Sequence, residues 1–181
     1  MKYILTLLLA SSVALLQAQE TPKHTNDILK EAYQQAAKEK KNVFVIFHAS
    51  WCGWCHKMDT AMNDKLVKKF FDDNYVIRHL VVHEAKDKKH LENPGAMDLL
   101  AKYKGQDQGI PFWLIFDKNG RLLADSQMRP AGAGPSEPGK NTGCPASEEE
   151  VAHFIRVLET TSPLNAEQLA IVKARFLKNA N

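Results

Sequence analysis

Val43-Phe44-Val45-Ile46-Phe47-His48-Ala49-Ser50-Trp51-Cys52-Gly53-Trp54-Cys55 decides how this chain folds. Its first five residues are all apolar and either β-branched or aromatic, the composition of a buried strand. A tight turn follows, then two cysteines separated by two residues, and from Gly53 to about Ala61 the pattern is helical. Cys52 therefore falls at a helix start, where unpaired backbone N–H groups favour a thiolate, and Lys57 adds positive charge nearby. Strand, turn, CxxC and helix in that order point to a dithiol that cycles with its disulfide. A purely structural disulfide is the plainer alternative.

The N-terminus reads as a leader. Met1-Lys2 supplies a short positive region, Ile4 to Leu16 an apolar one, and Gln17-Ala18-Gln19 a cleavage region with the cut after Ala18. The apolar run is short for a membrane span, and Gln19, Glu20 and Pro22 follow it without a stop-transfer pattern. With no cysteine near the cut, no lipid anchor is expected. Residues 1–18 are thus expected to be removed and the rest to be exported and soluble.

Roughly 160 residues remain, enough for one domain with a substantial core. The formal charge of +3 drops by one with Lys2, and lysines are interleaved with acids. Such a field gives no reason to expect nucleic-acid binding. Three cysteines are too few for a disulfide scaffold, so an exported chain with one close pair and a remote Cys144 suggests redox chemistry.

Thr25 or Asn26 is expected to cap a helix to about Lys41, with Ile28, Leu29, Ala32, Ala36 and Ala37 as its apolar stripe. Asn63-Asp64 reads as a fresh cap for a helix over 65–72, and Tyr75 to Val82 as a second strand. Residues 83–95 read as loop, followed by a short helix over 96–103. Phe112–Phe116 and Arg121–Ala124 flank Asp117-Lys118-Asn119-Gly120, an Asn-Gly hairpin signal. Ser147 with Glu150 forms a capping box opening a helix to about Thr161. Asn165 with Gln168, and Leu164 packing on Leu169, open a last one. A parallel strand–helix–strand unit plus an antiparallel hairpin gives an α/β fold. Its mixed central sheet is expected to hold about four to five strands, with helices on both faces and an extra C-terminal helix.

Phe47 to Asp59, with WCGWC at its centre, is similar to the thioredoxin-like proteins exported by Gram-negative bacteria. Gly109-Ile110-Pro111-Phe112 matches the second signature of that superfamily, a proline preceded by a cis bond. The resemblance implies a thioredoxin fold over residues 19–181, with its core at 25–160, a turn-rich insertion at 127–146 and a C-terminal helix at 165–178. It also implies a protein-disulfide oxidoreductase in which Cys52 attacks and Cys55 resolves. Trp51, Gly53 and Trp54 would line the substrate rim, and Ile110-Pro111 would offer a backbone edge to a substrate strand. No cofactor or metal is expected beyond the redox pair. The expected partners are protein thiols and disulfides of the periplasm, and a recycling partner that is either a membrane-bound reductant donor or a thiol oxidase.

Three departures matter. Trp54 stands where thioredoxin has proline, between the cysteines that set the redox poise. Ile46 stands where thioredoxin has a buried aspartate, leaving His48, His56 or water to assist the proton of Cys55. Cys144 ends an insertion rich in Pro and Gly that borders the groove in this family, so it is a candidate regulatory or resolving thiol. A free or intermolecularly paired surface cysteine is its alternative.

Competing readings exist. Cys52-Gly53-Trp54-Cys55-His56 also spells the c-type haem attachment pattern, with Met97 or Met128 as a second axial ligand. A zinc site from Cys52, Cys55, His56 and Cys144 lacks a second CxxC or a spaced histidine pair. A non-catalytic binding module would leave the CxxC idle.

Overall fold

The structure is a computed structural model and describes residues 21–130, 132–134 and 137–180. The leader expected over residues 1–18 lies outside the described residues.

The decisive apolar run forms β1 (Asn42–His48), buried along all of its interior. It pairs in parallel with β2 (Tyr75–Val81) and antiparallel with β3 (Phe112–Phe116). β3 pairs antiparallel with β4 (Leu122–Asp125), so the four-stranded mixed sheet runs β2-β1-β3-β4. Because strand side chains alternate, Phe44 and Ile46 of β1 join Trp113 and Ile115 of β3 on one face. There they pack on α2 (Gly53–Met62), α3 (Lys68–Asn74), α5 (Glu148–Thr161) and α6 (Ala166–Leu177), through Met58, Phe71, Phe154 and Phe176. Val43, Val45 and Phe47 take the opposite face with Leu114 and Phe116. That side is closed by α1 (Thr25–Glu39) and α4 (Ala96–Lys102) through Leu29, Ala32, Ala36 and Leu100. Two apolar layers around a doubly buried strand explain why the run is continuous rather than alternating.

Local signals placed most elements, and the differences have local causes. His24, not Thr25 or Asn26, caps α1: its Nδ1 accepts from the Asn26 N–H at 3.1 Å while Thr25 turns inward and is buried. The helix expected over 65–72 starts at Lys68 instead. Asp64 accepts from the Leu66 N–H at 3.0 Å, a side-chain turn that competes with helix, and its other oxygen holds Arg175. Within the 83–95 loop, Lys86–Leu91 winds into a 3-10 helix. The hairpin turns at Gly120, whose φ of +80° suits glycine, while Asp117 Oδ1 accepts from Asn119 and Arg121 N–H groups.

Both capping boxes form, at Ser147–Glu150 and Asn165–Gln168. The turn-rich insertion contains a two-stranded antiparallel ribbon, β5 (Gln127–Met128) against β6 (Lys140–Asn141). After α6 the chain tightens into a 3-10 turn, Lys178–Ala180, which buries Asn179.

Candidate active site

β1 delivers the chain to the rim of the sheet and α2 starts immediately after Cys52, which is the N-cap residue. Cys52 and Cys55 are joined as a disulfide. The Cys55 backbone N–H donates to Cys52 Sγ at 3.1 Å. In the reduced state the same donor, together with the positive end of the helix, favours a thiolate on Cys52. On its other side Cys52 Sγ lies 3.5 Å from the Ile110 carbonyl oxygen, and the Ile110–Pro111 peptide bond is cis. The loop before β3 therefore stands directly against the Cys52 sulfur.

Although Cys52 stands at the helix start, it is only 3 % exposed, and Cys55 is 1 %. Ala49 and Ile110 pack around the pair and cover it. The exposed groups are the tryptophans: Trp51 is 60 % and Trp54 50 % exposed, so Trp51 belongs to the rim and not to the core. Trp51 Nε1 donates to the His83 carbonyl at 2.8 Å, which fixes the indole across the loop after β2. A Cβ on Gly53 would meet nothing within 4 Å, so the fold does not demand glycine there and the space in front of it is open.

Lys57, expected to place its charge beside Cys52, sits over the Trp54 ring at 4.8 Å and donates to the Asn179 carbonyl at 2.8 Å. Ile46 is buried in the apolar face, and no carboxylate replaces it on β1. Of the two histidines considered for proton transfer, His56 is exposed and bonds the Ser50 carbonyl at 3.0 Å. His48 is half-buried, with its ring 5.0 Å from that of His79, which in turn bonds Asp59 at 2.8 Å. Burial, then His79, lower the His48 pKa against the opposing pull of Asp59 and Glu84.

Cys144 is free but buried, so the alternative reading of a surface cysteine does not hold. Asn179 Nδ2 donates to its sulfur at 3.3 Å and to the Pro145 carbonyl at 3.0 Å, so the C-terminal turn closes over it. Burial pushes the thiol up to about 12. It sits at the edge of a cleft of about 400 Å³ that is also lined by Trp54, Ile110, Pro111 and Asn141. Among the described residues no group of three or more His, Cys, Asp or Glu side chains is placed to hold a metal.

Two residues of this neighbourhood had no signal in the linear pattern. Glu84 accepts from the Ser50 N–H and hydroxyl, and Asn141 bonds the loop that carries Ile110. Both act across long stretches of chain, so neither spacing nor periodicity could point to them.

A family profile described as thioredoxin-like matches residues 24–118, just over half of the chain. No curated protein matches the sequence significantly. Among solved structures, a disulphide isomerase from Xylella fastidiosa Temecula1 is 14% identical with a TM-score of 0.46, covering 64% of this chain and 80% of its own. A DsbH oxidoreductase is 20% identical with a TM-score of 0.44, covering 87% and 95%. The C-terminal domain of Neisseria meningitidis DsbD in its oxidised form is 19% identical with a TM-score of 0.44, covering 78% and 99%.

Proposed function

We propose that this chain, which belongs to the thioredoxin-like family and is a thiol–disulfide oxidoreductase through its Cys52–Cys55 pair, serves exported protein substrates in the periplasm. The observation that carries the chemistry is the position of Cys52 Sγ, between the Cys55 N–H at the start of α2 and the Ile110 carbonyl. The export reading rests on the leader-like pattern of residues 1–18. Among the described residues no helix is long and apolar enough to cross a membrane.

In the reducing direction the Cys52 thiolate attacks one sulfur of a substrate disulfide. A Cys52–substrate bond forms, the substrate bond breaks, and the departing sulfur leaves as a thiolate that takes up a proton. Cys55 then loses its proton and attacks Cys52 Sγ, closing the 52–55 disulfide and releasing the second substrate thiol. Two electrons pass from the pair to the substrate. The oxidising direction is the reverse, beginning with the disulfide that the structure holds: a substrate thiolate attacks Cys52 Sγ, and Cys55 leaves.

In this reading Cys52 is the nucleophile and Cys55 the resolving thiol. Ile110 and Pro111 hold the substrate backbone beside the sulfur. Trp51 and Trp54 offer exposed aromatic surface beside the pair, and Gly53 leaves room for the substrate chain. No cofactor is needed beyond the redox pair, but a recycling partner is, either a membrane-bound reductant donor or a thiol oxidase. Cys144, buried and held protonated, is left out of the exchange.

Dithiothreitol-driven insulin reduction tests the activity: Cys52→Ser abolishes it, and full activity in that variant rules the assignment out. The reduction potential of the pair decides direction. A value near roughly −270 mV marks a reductant and one near about −120 mV an oxidant.

A further inference from the structure

Asn141, on β6 of the ribbon, turns its amide nitrogen to the loop that faces Cys52. Its Nδ2 donates to the Gly109 carbonyl at 2.5 Å and to the Pro111 carbonyl at 3.1 Å, while its Oδ1 accepts from the Gly143 N–H at 3.1 Å. The two carbonyls it holds flank Ile110, whose own carbonyl lies 3.5 Å from Cys52 Sγ. Only a primary amide offers two hydrogens on one nitrogen together with an acceptor at this size. Gln108 ties the same ribbon in place. Its Oε1 accepts from the Asn141 N–H at 2.8 Å, and its Nε2 donates to Gln127 Oε1 at 2.8 Å and to the Gly139 carbonyl at 3.1 Å. The ribbon lies beyond residues 24–118, the stretch shared with the family profile.

We propose that Asn141 is a positioning residue for polypeptide substrates: through it the β5–β6 ribbon sets the Ile110 backbone edge relative to Cys52. This rests on the oxidoreductase reading above, in which Ile110 pairs with the substrate backbone. A polypeptide disulfide must lay a strand along that edge before its sulfur meets Cys52, whereas a small disulfide needs only access to the sulfur. Displacing the edge by about 1 Å is enough to cost up to about a hundredfold in a positioned reaction. The ribbon thus selects for polypeptides without touching the reacting atoms.

The test compares the reduced full chain on two probes, a cystine-bridged peptide and the small aromatic disulfide 5,5′-dithiobis(2-nitrobenzoate). Asn141→Asp keeps the shape and the acceptor for Gly143 but turns lone pairs toward the Gly109 and Pro111 carbonyls. Asn141→Ala removes the group. For both variants kcat/KM on the peptide falls about tenfold, through KM, while the rate with the small disulfide stays within about twofold of wild type. Gln108→Ala, which leaves the carboxamide in place, gives a smaller loss of the same selectivity and serves if the Asn141 variants do not fold. Equal losses on both probes, or none on either, overturn the inference while leaving the oxidoreductase reading intact. Wild-type protein inert on both probes overturns that reading, and the inference with it.

Discussion

Glu84 holds Ser50 by two hydrogen bonds, its Oε1 accepting the backbone N–H at 2.5 Å and its Oε2 the hydroxyl at 2.8 Å. Ser50 lies two residues before Cys52, and Glu84 three residues beyond the end of β2, so a buried carboxylate ties the approach to the redox pair onto the neighbouring strand's loop. Burial raises the Glu84 pKa, but the Ser50 N–H and hydroxyl, helped by Lys88 and His48, outweigh it and hold the carboxyl below its ordinary value. The adjacent His83 carbonyl takes the Trp51 indole, so one short loop fixes both the turn and the rim aromatic.

Glu84→Ala therefore loosens the segment that presents Cys52. The loss of both bonds costs about 1–2 kcal/mol, and Glu84→Gln, which keeps one acceptor oxygen, costs less. Thermal unfolding of the oxidised protein should show a Tm lowered by several degrees for the alanine variant. An unchanged Tm would mean that Ser50 is held by something else.

Cys55→Ser removes the sulfur proposed to resolve while leaving Cys52 and its N–H donor in place. The variant should accumulate a mixed disulfide between Cys52 and a substrate cysteine, visible as a reductant-sensitive adduct on a non-reducing gel. Cys52→Ser should show none. Adducts of equal yield in both variants would contradict the assignment of roles.

Asn179 and Cys144 give a separate prediction about the C-terminal turn. Asn179 receives Lys57 on its carbonyl and Arg175 on its side chain, and donates to Cys144 and Pro145. Asn179→Ala should destabilise the fold by about 2 kcal/mol, because several buried partners lose their bonds together. Burial pushes the Cys144 thiol up to about 12, so iodoacetamide at pH 8 should leave Cys144 intact until the protein unfolds. Because the folded value lies above the unfolded value of about 8.5, this thiol's contribution to stability is complete below that pH. It is lost as pH rises toward the folded value. Rapid labelling of Cys144 in the native protein would refute the burial argument.

Acid should weaken the fold in two stages. Burial, reinforced by His79, lowers the His48 pKa, with Asp59 and Glu84 opposing and His56 adding to the lowering. Burial likewise lowers His153, on α5, against its hydrogen bond with Asp125. Since the unfolded state takes up the proton first, stability falls as pH drops from about 6.5 through the folded values. Glu84 and Asp117 carry lowered carboxyl pKa values, the latter through N–H donors of Arg121 and Asn119. Their contribution is present above about pH 4 and disappears below it. Denaturant unfolding between pH 8 and pH 3 measures both stages, and His48→Gln with His153→Gln should flatten the upper one. A double variant with the same upper slope as wild type would assign that slope to other groups.

What the sequence determined by itself is everything that local chemistry encodes. The apolar β-branched run specifies β1, and CxxC at the next helix start specifies a disulfide on an N-cap, because strand burial and capping act over a few residues. The Asn-Gly turn and the capping boxes at Ser147 and Asn165 were legible for the same reason. The boundaries of α1 and α3 shifted where a side chain found a backbone partner that periodicity does not register. Only the tertiary structure decided that Glu84 meets Ser50, that Asn141 grips the loop around Ile110, and that Asn179 closes over Cys144. These are side-chain hydrogen bonds between segments 34, 32 and 35 residues apart. Their partners exist only once the order β2-β1-β3-β4 has brought those segments together.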